Sequence, residues 1–475
     1  MQRKWLISLI VCVGVFMSSL DLFIVNIAFP AIGRHFGGAS LGTLSWILSG
    51  YAIVFAALLV PAGRWADAFG RKRAFLVGLG VFVAASAACA LAPTVGVLIA
   101  ARVVQAMGGA LMLPTSLGLM LPEFGPHERH VAIGVWAATG GIAAAAGPPL
   151  GGLLVQADWR WVFLVNLPVG LLGLVLGIRT LAERREADAK RPDLLGAGAL
   201  IVAIGALVVA IVKGQEWGWS SPGILALALA TAVLLPAIWW RSERHPAPIV
   251  EPSMLKVRSF GLAVGASVLF FAGFGAMLLS GVLFLTSVWH EQVLTAGLML
   301  FPCPAMATAF SVPSARLGAR YGYRLPGVIG SVMFAAGSIW FMARTGDRPA
   351  FLSEYLPGSM IGGAGVGLVI PTLTGAGASS LAAERFATGA AILTMGRQIG
   401  AALGVAILVA VLGTATRNAA DFHTAWVITV SGGLATGLAL AAIGPPARGR
   451  VNAPIIAEPI ADPLIAEPLV AEEAA

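Results

Sequence analysis

Long apolar stretches follow one another along most of the chain, and short polar connectors separate them. Each stretch runs for about 20 residues, which is the length that an α-helix needs to cross the hydrocarbon core of a bilayer. Apolar and polar residues do not alternate within the stretches, so the pattern excludes a membrane β-barrel. We predict fourteen spans. They lie near residues 5–30, 43–62, 74–92, 95–120, 130–155, 160–182, 194–212, 222–240, 259–288, 293–312, 325–344, 353–378, 386–412 and 422–443.

Composition favours a membrane protein over a soluble one. Hydrophobic residues make up 58% of the 475 residues and charged residues only 11%, whereas a soluble domain carries about 25% charged residues. The net charge of +8 does not indicate nucleic-acid binding, because the basic residues lie in short connectors. The three cysteines have no paired spacing, so we predict neither a disulfide framework nor a metal site. We expect an all-α polytopic protein in the lipid bilayer.

The lysines and arginines orient the predicted spans, because cytoplasmic connectors of membrane proteins carry an excess of basic residues. The chain contains 30 of these residues. With the N-terminus in the cytoplasm, roughly four times as many lie on the inner side as on the outer side. This bias predicts a multi-pass protein of the cell membrane, whether inner or plasma membrane, with both termini cytoplasmic. The first apolar stretch lacks a small-residue cleavage site, so we assign it to a span and not to a signal peptide.

Two features recur at a nearly constant offset. The Pro-Thr pair at 114–115 is matched by the pair at 371–372, and the connector at 63–72 has a weaker copy at 315–324. Parallel repeats of this kind indicate two halves related by an axis along the membrane normal. The predicted domains are a six-span half at residues 1–182, two inserted spans with their loops at 183–258, a second six-span half at 259–443 and a disordered cytoplasmic tail at 444–475.

The connector after the second span combines two glycines, one acid and a basic cluster. Glycines permit a tight turn and close helix approach, and the acid can pair with an arginine or a helix N-terminus and so hold the two halves together. The connector resembles the cytoplasmic gate motif of the major facilitator superfamily, although Ala68 stands where that family usually has arginine. The alternative is a solvated basic loop that only sets topology. The candidate residues are Gly63, Asp67, Gly70, Arg71, Lys72 and Arg73.

A stripe of small residues follows one face of the fifth span. Gly140, Gly147 and Gly151 lie on this face, and Pro148 lies within the same stretch. Small residues let another helix backbone approach closely. The stretch resembles the antiporter motif of proton-driven exporters in the same superfamily. Ordinary packing of small residues is the alternative interpretation.

One acid, Asp21, lies deep in a predicted span, and an ionisable residue in that position is a functional-site hypothesis by default. Arg102 and Gln105 share a face of the fourth span, and Arg102 reaches a similar depth. The runs around Asp21, Asn26 and the Arg102–Gln105 pair resemble those of the fourteen-span drug:proton antiporter branch. The resemblance implies that Asp21 exchanges the coupling proton beside Arg102. The alternative is a fixed buried ion pair that only orients helices.

Arg397 and Gln398 in the thirteenth span have no acid at a similar depth in the second half. They either line a cavity or bond to carbonyl groups and cap a packed interface. We favour the second, structural interpretation from the sequence.

Together these resemblances, which cover residues 5–443, imply a proton-driven multidrug efflux transporter that works by alternating access. Protons are then the coupling ion, no cofactor or metal is needed, and the protein is not an enzyme. The expected partners are neutral, monocationic or otherwise lipophilic small molecules and the bilayer, with no nucleic acid, and we expect a monomer. The main alternative is a carrier or exporter of a specific metabolite, lipid or siderophore. It stays open because the motifs indicate proton coupling and gating but do not identify the transported molecule. A channel or a membrane enzyme is less consistent with these motifs.

Overall fold

The computed structural model describes residues 3–185, 190–381, 385–413 and 418–443, apart from the side chains at positions 126 and 130. Every regular element in these ranges is helical. The helices are α1 Arg3–His35, α2 Leu41–Phe69, α3 Arg71–Ala90, α4 Val95–Met120, α5 Arg129–Ala157, α6 Trp161–Leu164, α7 Asn166–Thr180, α8 Leu194–Trp217, α9 Pro222–Ser242, α10 Pro252–Leu255, α11 Arg258–Ser287, α12 Val293–Leu300, α13 Pro302–Tyr321, α14 Arg324–Arg344, α15 Leu356–Ser379, α16 Phe386–Leu412 and α17 His423–Ala441. The tail predicted at 444–475 lies outside the described residues.

The predicted fourteen spans are confirmed. Fourteen helical segments of the described chain are long and apolar enough to cross a membrane, and the protein is an all-α polytopic membrane protein. Successive spans run in opposite directions, so α1 begins on the same side of the bundle as the end of α2. We call this side, which holds Arg3 and Phe69, the N-terminal side, and we call the side that holds His35 and Leu41 the far side.

The helix α2 is longer than predicted and includes most of the connector at 63–73. The sequence assigns Gly63 to a tight turn, but the structure places it inside α2, which ends at Phe69. Gly70 alone makes the turn, with a φ of 117° that a side chain would strain. A Cβ on Gly63 would lie 3.5 Å from Pro114 of α4. That distance is an ordinary van der Waals contact, so the turn requires a glycine at 70, whereas the packing of α2 against α4 would accept a Cβ at 63.

The internal repeat predicted from the sequence has a structural counterpart. Gly322, after α13, has a φ of 87° and follows the same helix-turn-helix course as Gly70. The pairs α3–α4 and α14–α15 also cross at matching glycines. A Cβ on Gly108 would lie 2.6 Å from the Gly78 carbonyl oxygen, and one on Gly365 would lie 2.6 Å from that of Gly330. In both halves, glycine is what lets these two helices approach closely.

The two halves contact each other through several helix pairs: α2 lies against α16, α5 against α12 and α1 against α11. The helix α8 packs against both α2 and α16, and α9 packs against α8. On the N-terminal side, the buried Asp193 caps α8 and accepts a 2.8 Å hydrogen bond from Arg241 of α9. The α8–α9 hairpin therefore covers the line along which the first half meets the second.

Candidate functional site

A buried ion pair joins α1 to α4 in the middle of the first half. Arg102 donates through Nη1 to Asp21 Oδ2 at 2.5 Å, and both side chains are at most 1% exposed. Gln105 donates through Nε2 to the other oxygen of Asp21 at 3.0 Å and accepts from Arg102 Nη1 at 2.6 Å. The structure thus brings together three side chains that the sequence predicts at one depth. All three are buried, so the charge of Asp21 and the charge of Arg102 depend on each other.

Further side chains of the first half complete this network. Ser86 of α3 accepts from Gln105 at 2.8 Å and from Asn166 of α7 at 3.4 Å. Arg102 also donates through Nε to the Ile47 carbonyl oxygen at 3.2 Å, and its guanidinium carbon lies 4.2 Å from the ring centroid of Tyr51. Helices α1, α2, α3, α4 and α7 therefore meet at one polar cluster. Ser86, Asn166 and Tyr51 are not among the residues predicted from the sequence, and their polarity within apolar spans is the signal available.

A small cavity lies beside the cluster, between the two halves. Its volume is about 90 Å³, enough for a few water molecules and well below the 300 Å³ or more typical of sites for drug-sized ligands. Arg102 and Asn26 line it from the first half, and Gln398 lines it from the second. The Oδ1 atom of Asn26 is buried without a hydrogen-bond partner. Asp21 is fully buried and is not among the residues that line the cavity, whereas its partner Arg102 is.

The glycine stripe of α5 faces α1, the helix that carries Asp21. A Cβ on Gly147 would lie 2.5 Å from Phe23 Cβ, and one on Gly151 would lie 2.9 Å from Ile24 Cγ1. Gly140 is less crowded, with the nearest atom, Ser19 Oγ, at 3.6 Å. The stripe therefore fixes the distance between α5 and the segment of α1 on both sides of Asp21.

The neighbouring face of α5 contacts the second half. A Cβ on Gly152 would lie 2.8 Å from Leu294 Cα in α12, and one on Gly297 would overlap the carbonyl oxygen of Pro148. Ile27, Val282 and Val293 form a small apolar cluster between α1, α11 and α12. These contacts close the space between the halves towards the far side.

The acid of the motif at 63–73 pairs with an arginine, as the sequence predicts, but this pair does not join the two halves. Asp67 accepts from Arg71 Nε at 2.8 Å, and Arg71 donates in turn to the Gly118 carbonyl oxygen of α4 at 3.2 Å. Glu183, which follows α7, accepts from the backbone N–H groups of Lys72 and Arg73 at 3.1 and 3.3 Å. Asp67, Arg71 and Gly118 all belong to the first half, and Glu183 is the first residue of the inserted segment. None of these contacts reaches the second half.

Arg64, which the sequence alone does not single out, forms an ion pair with a residue just before the second half. Its Nη2 atom lies 2.7 Å from Glu251 Oε1, in the segment that leads into α10 and α11. Both side chains are partly exposed, at 26% and 20%. On the N-terminal side, the link that joins α2 to the entrance of the second half therefore runs through residue 64 and not through Asp67.

Arg397 lies between α11, α15 and α16. It donates through Nη2 to Thr374 Oγ1, and its guanidinium carbon lies 5.6 Å from the ring centroid of Phe271. Its Nε atom is buried without a hydrogen-bond partner. Gln398, the next residue, lines the cavity between the halves. The sequence left open a cavity role or a structural role for this pair. Gln398 lines the cavity, whereas Arg397 does not line it and contacts Phe271, a residue that does.

The architecture and the central polar cluster define a polytopic transporter fold. The chain matches the family profile described as Major Facilitator Superfamily over residues 11–405. It belongs to this superfamily.

Curated relatives and solved structures agree with this assignment. The multidrug resistance protein Stp of Mycobacterium tuberculosis (strain CDC 1551 / Oshkosh) is 35% identical over 416 residues, which cover 87% of this chain and 76% of that protein. The tetracenomycin C resistance and export protein of Streptomyces glaucescens is 34% identical, with 86% of this chain and 75% of that protein covered. A solved POT family transporter bound to a thioalcohol-conjugated peptide has a TM-score of 0.65 at 14% identity, with 91% of this chain and 94% of that one covered. At that identity the likeness shows the shared fold.

Proposed function

We propose that the protein exports lipophilic, drug-like small molecules in exchange for protons. The observation that carries the proposal is the buried Asp21–Arg102–Gln105 network beside a cavity shared by the two halves. The relatives supply the cargo class, because their names describe drug resistance and export. On this proposal the protein is a transporter and not an enzyme, and protons are its only coupling ion.

The network supplies a coupling step. Protonation of Asp21 neutralises the carboxylate and removes the charge with which Arg102 is paired. Because Arg102 lines the cavity, its release from Asp21 changes the surface that the cargo meets. Gln105 bonds both groups and connects them to Ser86, so movement at Asp21 is transmitted to α3 and α4. Protonation of Asp21 and binding of the cargo therefore both act on the same side chain, Arg102, and so compete with each other.

Two sets of contacts support alternating access, one between the halves and one between the first half and the segment that leads into the second. The α5–α12 contacts and the Ile27 cluster restrict the far side, and Arg64–Glu251 restrains the N-terminal side. The cavity of about 90 Å³ is too small for a drug-sized molecule, so loading requires one set to separate. We propose that the halves rock about the central cluster and open each side in turn.

The proposed orientation follows the distribution of basic residues. The N-terminal side is placed in the cytoplasm, both termini lie there, and the protein resides in the cell membrane. Residues 1–182 and 259–443 act as the two moving halves, with 183–258 as an insertion. One chain is proposed to contain the complete pathway. The membrane potential contributes about 2.3 kcal/mol per charge per 100 mV to transport that moves net charge.

Transport into everted membrane vesicles tests the function. Vesicles that contain the protein should accumulate a fluorescent lipophilic dye when respiration acidifies their lumen, and a protonophore should abolish accumulation. Vesicles that contain Arg102→Ala, made at matched protein level, should accumulate little dye. Accumulation that survives the protonophore, or that equals the level in vesicles without the protein, contradicts proton-driven export.

A further inference from the structure

The second half carries a cation whose charge nothing in the described part of the protein balances. Among the described residues, Arg397 takes part in no ion pair, and its one hydrogen bond goes to the neutral hydroxyl of Thr374. Its Nε atom is buried and unpartnered. An uncompensated charge held away from water is costly, and proteins with such a group gain from any anion that can reach it. Arg102 differs, because Asp21 neutralises it.

The surroundings of Arg397 supply the remainder of a binding site. Phe271 lies beneath the guanidinium and also lines the cavity, where Phe274 meets it edge to face with ring centroids 5.7 Å apart. The Gln398 amide lines the same cavity and makes no hydrogen bond within the described ranges. The Gln398 amide and the two aromatic rings therefore form one wall of the cavity, and the guanidinium of Arg397 lies next to that wall, 5.6 Å from the Phe271 ring centroid.

We propose that this wall, formed by Gln398, Phe271 and Phe274, acts together with the adjacent Arg397 to recognise an acidic group on the cargo, either a carboxylate or an ionised phenol. The guanidinium donates to the anionic oxygens, as arginine does in bidentate recognition, and the phenylalanine rings hold the apolar body of the molecule. The inference rests on the proposed export function and narrows its substrate class. It departs from the monocationic cargo considered from the sequence, because Asp21 neutralises Arg102, whereas Arg397, which contacts the cavity residue Phe271, forms no ion pair within the described ranges.

A matched pair of dyes tests the inference. Everted vesicles are given a fluorescent dye with one carboxylate, or its neutral methyl ester, and initial rates of uptake are measured over a range of concentrations. Arg397→Gln should lower the acid-to-ester ratio of kcat/KM by about tenfold or more, chiefly through a higher KM for the acid, since it removes a charge-assisted hydrogen bond. Arg397→Lys keeps the charge, so its ratio should remain between those of wild type and Arg397→Gln.

Two further variants separate recognition from folding. Gln398→Glu places a carboxylate beside Arg397 with little change of shape, so it should also lower the acid-to-ester ratio. Arg348→Gln removes an exposed arginine from a connector and should leave the ratio at the wild-type value. If Arg397→Gln proves too unstable to assay, Gln398→Glu decides the question alone.

The outcomes are distinct. An unchanged ratio in both Arg397→Gln and Gln398→Glu, or equal loss of both dyes, overturns the acidic-cargo site. Uptake of the ester without the acid by wild type also overturns it but leaves proton-driven export standing. Uptake of neither dye by wild type contradicts the proposed function together with the site.

Discussion

Arg102 holds the central cluster together because it meets three partners at once. Its guanidinium donates to Asp21 and Gln105, and its Nε atom donates to the Ile47 carbonyl oxygen. The Tyr51 ring lies against its face at 4.2 Å. A lysine offers a single point charge and cannot reproduce this arrangement of N–H donors. At the residue scale, the first half therefore depends on the shape of this side chain as well as on its charge.

A double-mutant cycle measures that dependence. Arg102→Ala leaves the Asp21 carboxylate buried without its cation, and we expect a loss of about 3–5 kcal/mol in the free energy of unfolding. Asp21→Ala combined with Arg102→Ala should be less destabilising than the two single changes added together, because neither charge is then left alone. Denaturation in detergent provides the measurement. Additive losses would mean that the two side chains do not interact energetically.

The sequence predicts only the charged part of this cluster. Asp21 and Arg102 could be predicted to form a pair, because they lie at similar depths in their spans and an isolated charge in hydrocarbon has few ways to be stabilised. Ser86 and Asn166 could not be singled out, since neutral polar residues occur in many spans and can bond to their own helix, as Ser18 does with the Gly14 carbonyl oxygen at 2.9 Å. Their roles depend on which helices become neighbours.

At the element scale, the spacing of α1 and α5 follows from the glycine stripe. Gly147→Ala places a Cβ 2.5 Å from Phe23 Cβ, and overpacking of this kind costs about 1–3 kcal/mol. Gly141→Ala is the matched control, because no atom lies within 4 Å of its added Cβ. We expect Gly147→Ala to lower both the melting temperature in detergent and dye export, with Gly141→Ala close to wild type. Equal behaviour of the two variants would show that the stripe does not set helix spacing.

Helix boundaries are less predictable than the helices themselves. The sequence ends the first span near 30 and the second near 62, whereas α1 continues to His35 and α2 to Phe69. Pro30 and Gly63 suggest helix ends locally. Neighbouring helices supply the packing that carries the chain past them, and that information is absent from a local pattern.

At the scale of the whole molecule, Arg64–Glu251 joins the first half to the approach to the second. Reversing one charge, as in Arg64→Glu, replaces attraction by repulsion, so the N-terminal side should open more often. A cysteine at Ala52, which lines the cavity, should then react about two- to fivefold faster with a membrane-impermeant maleimide in everted vesicles. Arg64→Glu combined with Glu251→Arg should restore the slower rate.

The control for this prediction is Lys213→Glu, which disrupts the Lys213–Glu216 pair within α8 and should not alter labelling. If the double reversal labels as fast as Arg64→Glu alone, the pair does not restrain the N-terminal side.

The internal repeat could be read from the sequence, and Gly70 and Gly322 make the same turn in the two halves. The position of the two inserted spans within the helix bundle could not be predicted from the sequence. The helix α8 is apolar on every side, and lipid-facing and protein-facing apolar residues look alike in sequence. Only the fold shows that α8 lies against both α2 and α16.

The central claim is that Asp21 carries the coupling proton, and drug-induced proton efflux from acid-loaded everted vesicles tests it most directly. Addition of dye should release protons from vesicles that contain wild type or Asp158→Asn, a change in a connector acid on the far side. Vesicles that contain Asp21→Asn should release none, although the purified variant should still be stabilised by dye in thermal unfolding. Proton release by Asp21→Asn at the wild-type rate and stoichiometry would contradict the account.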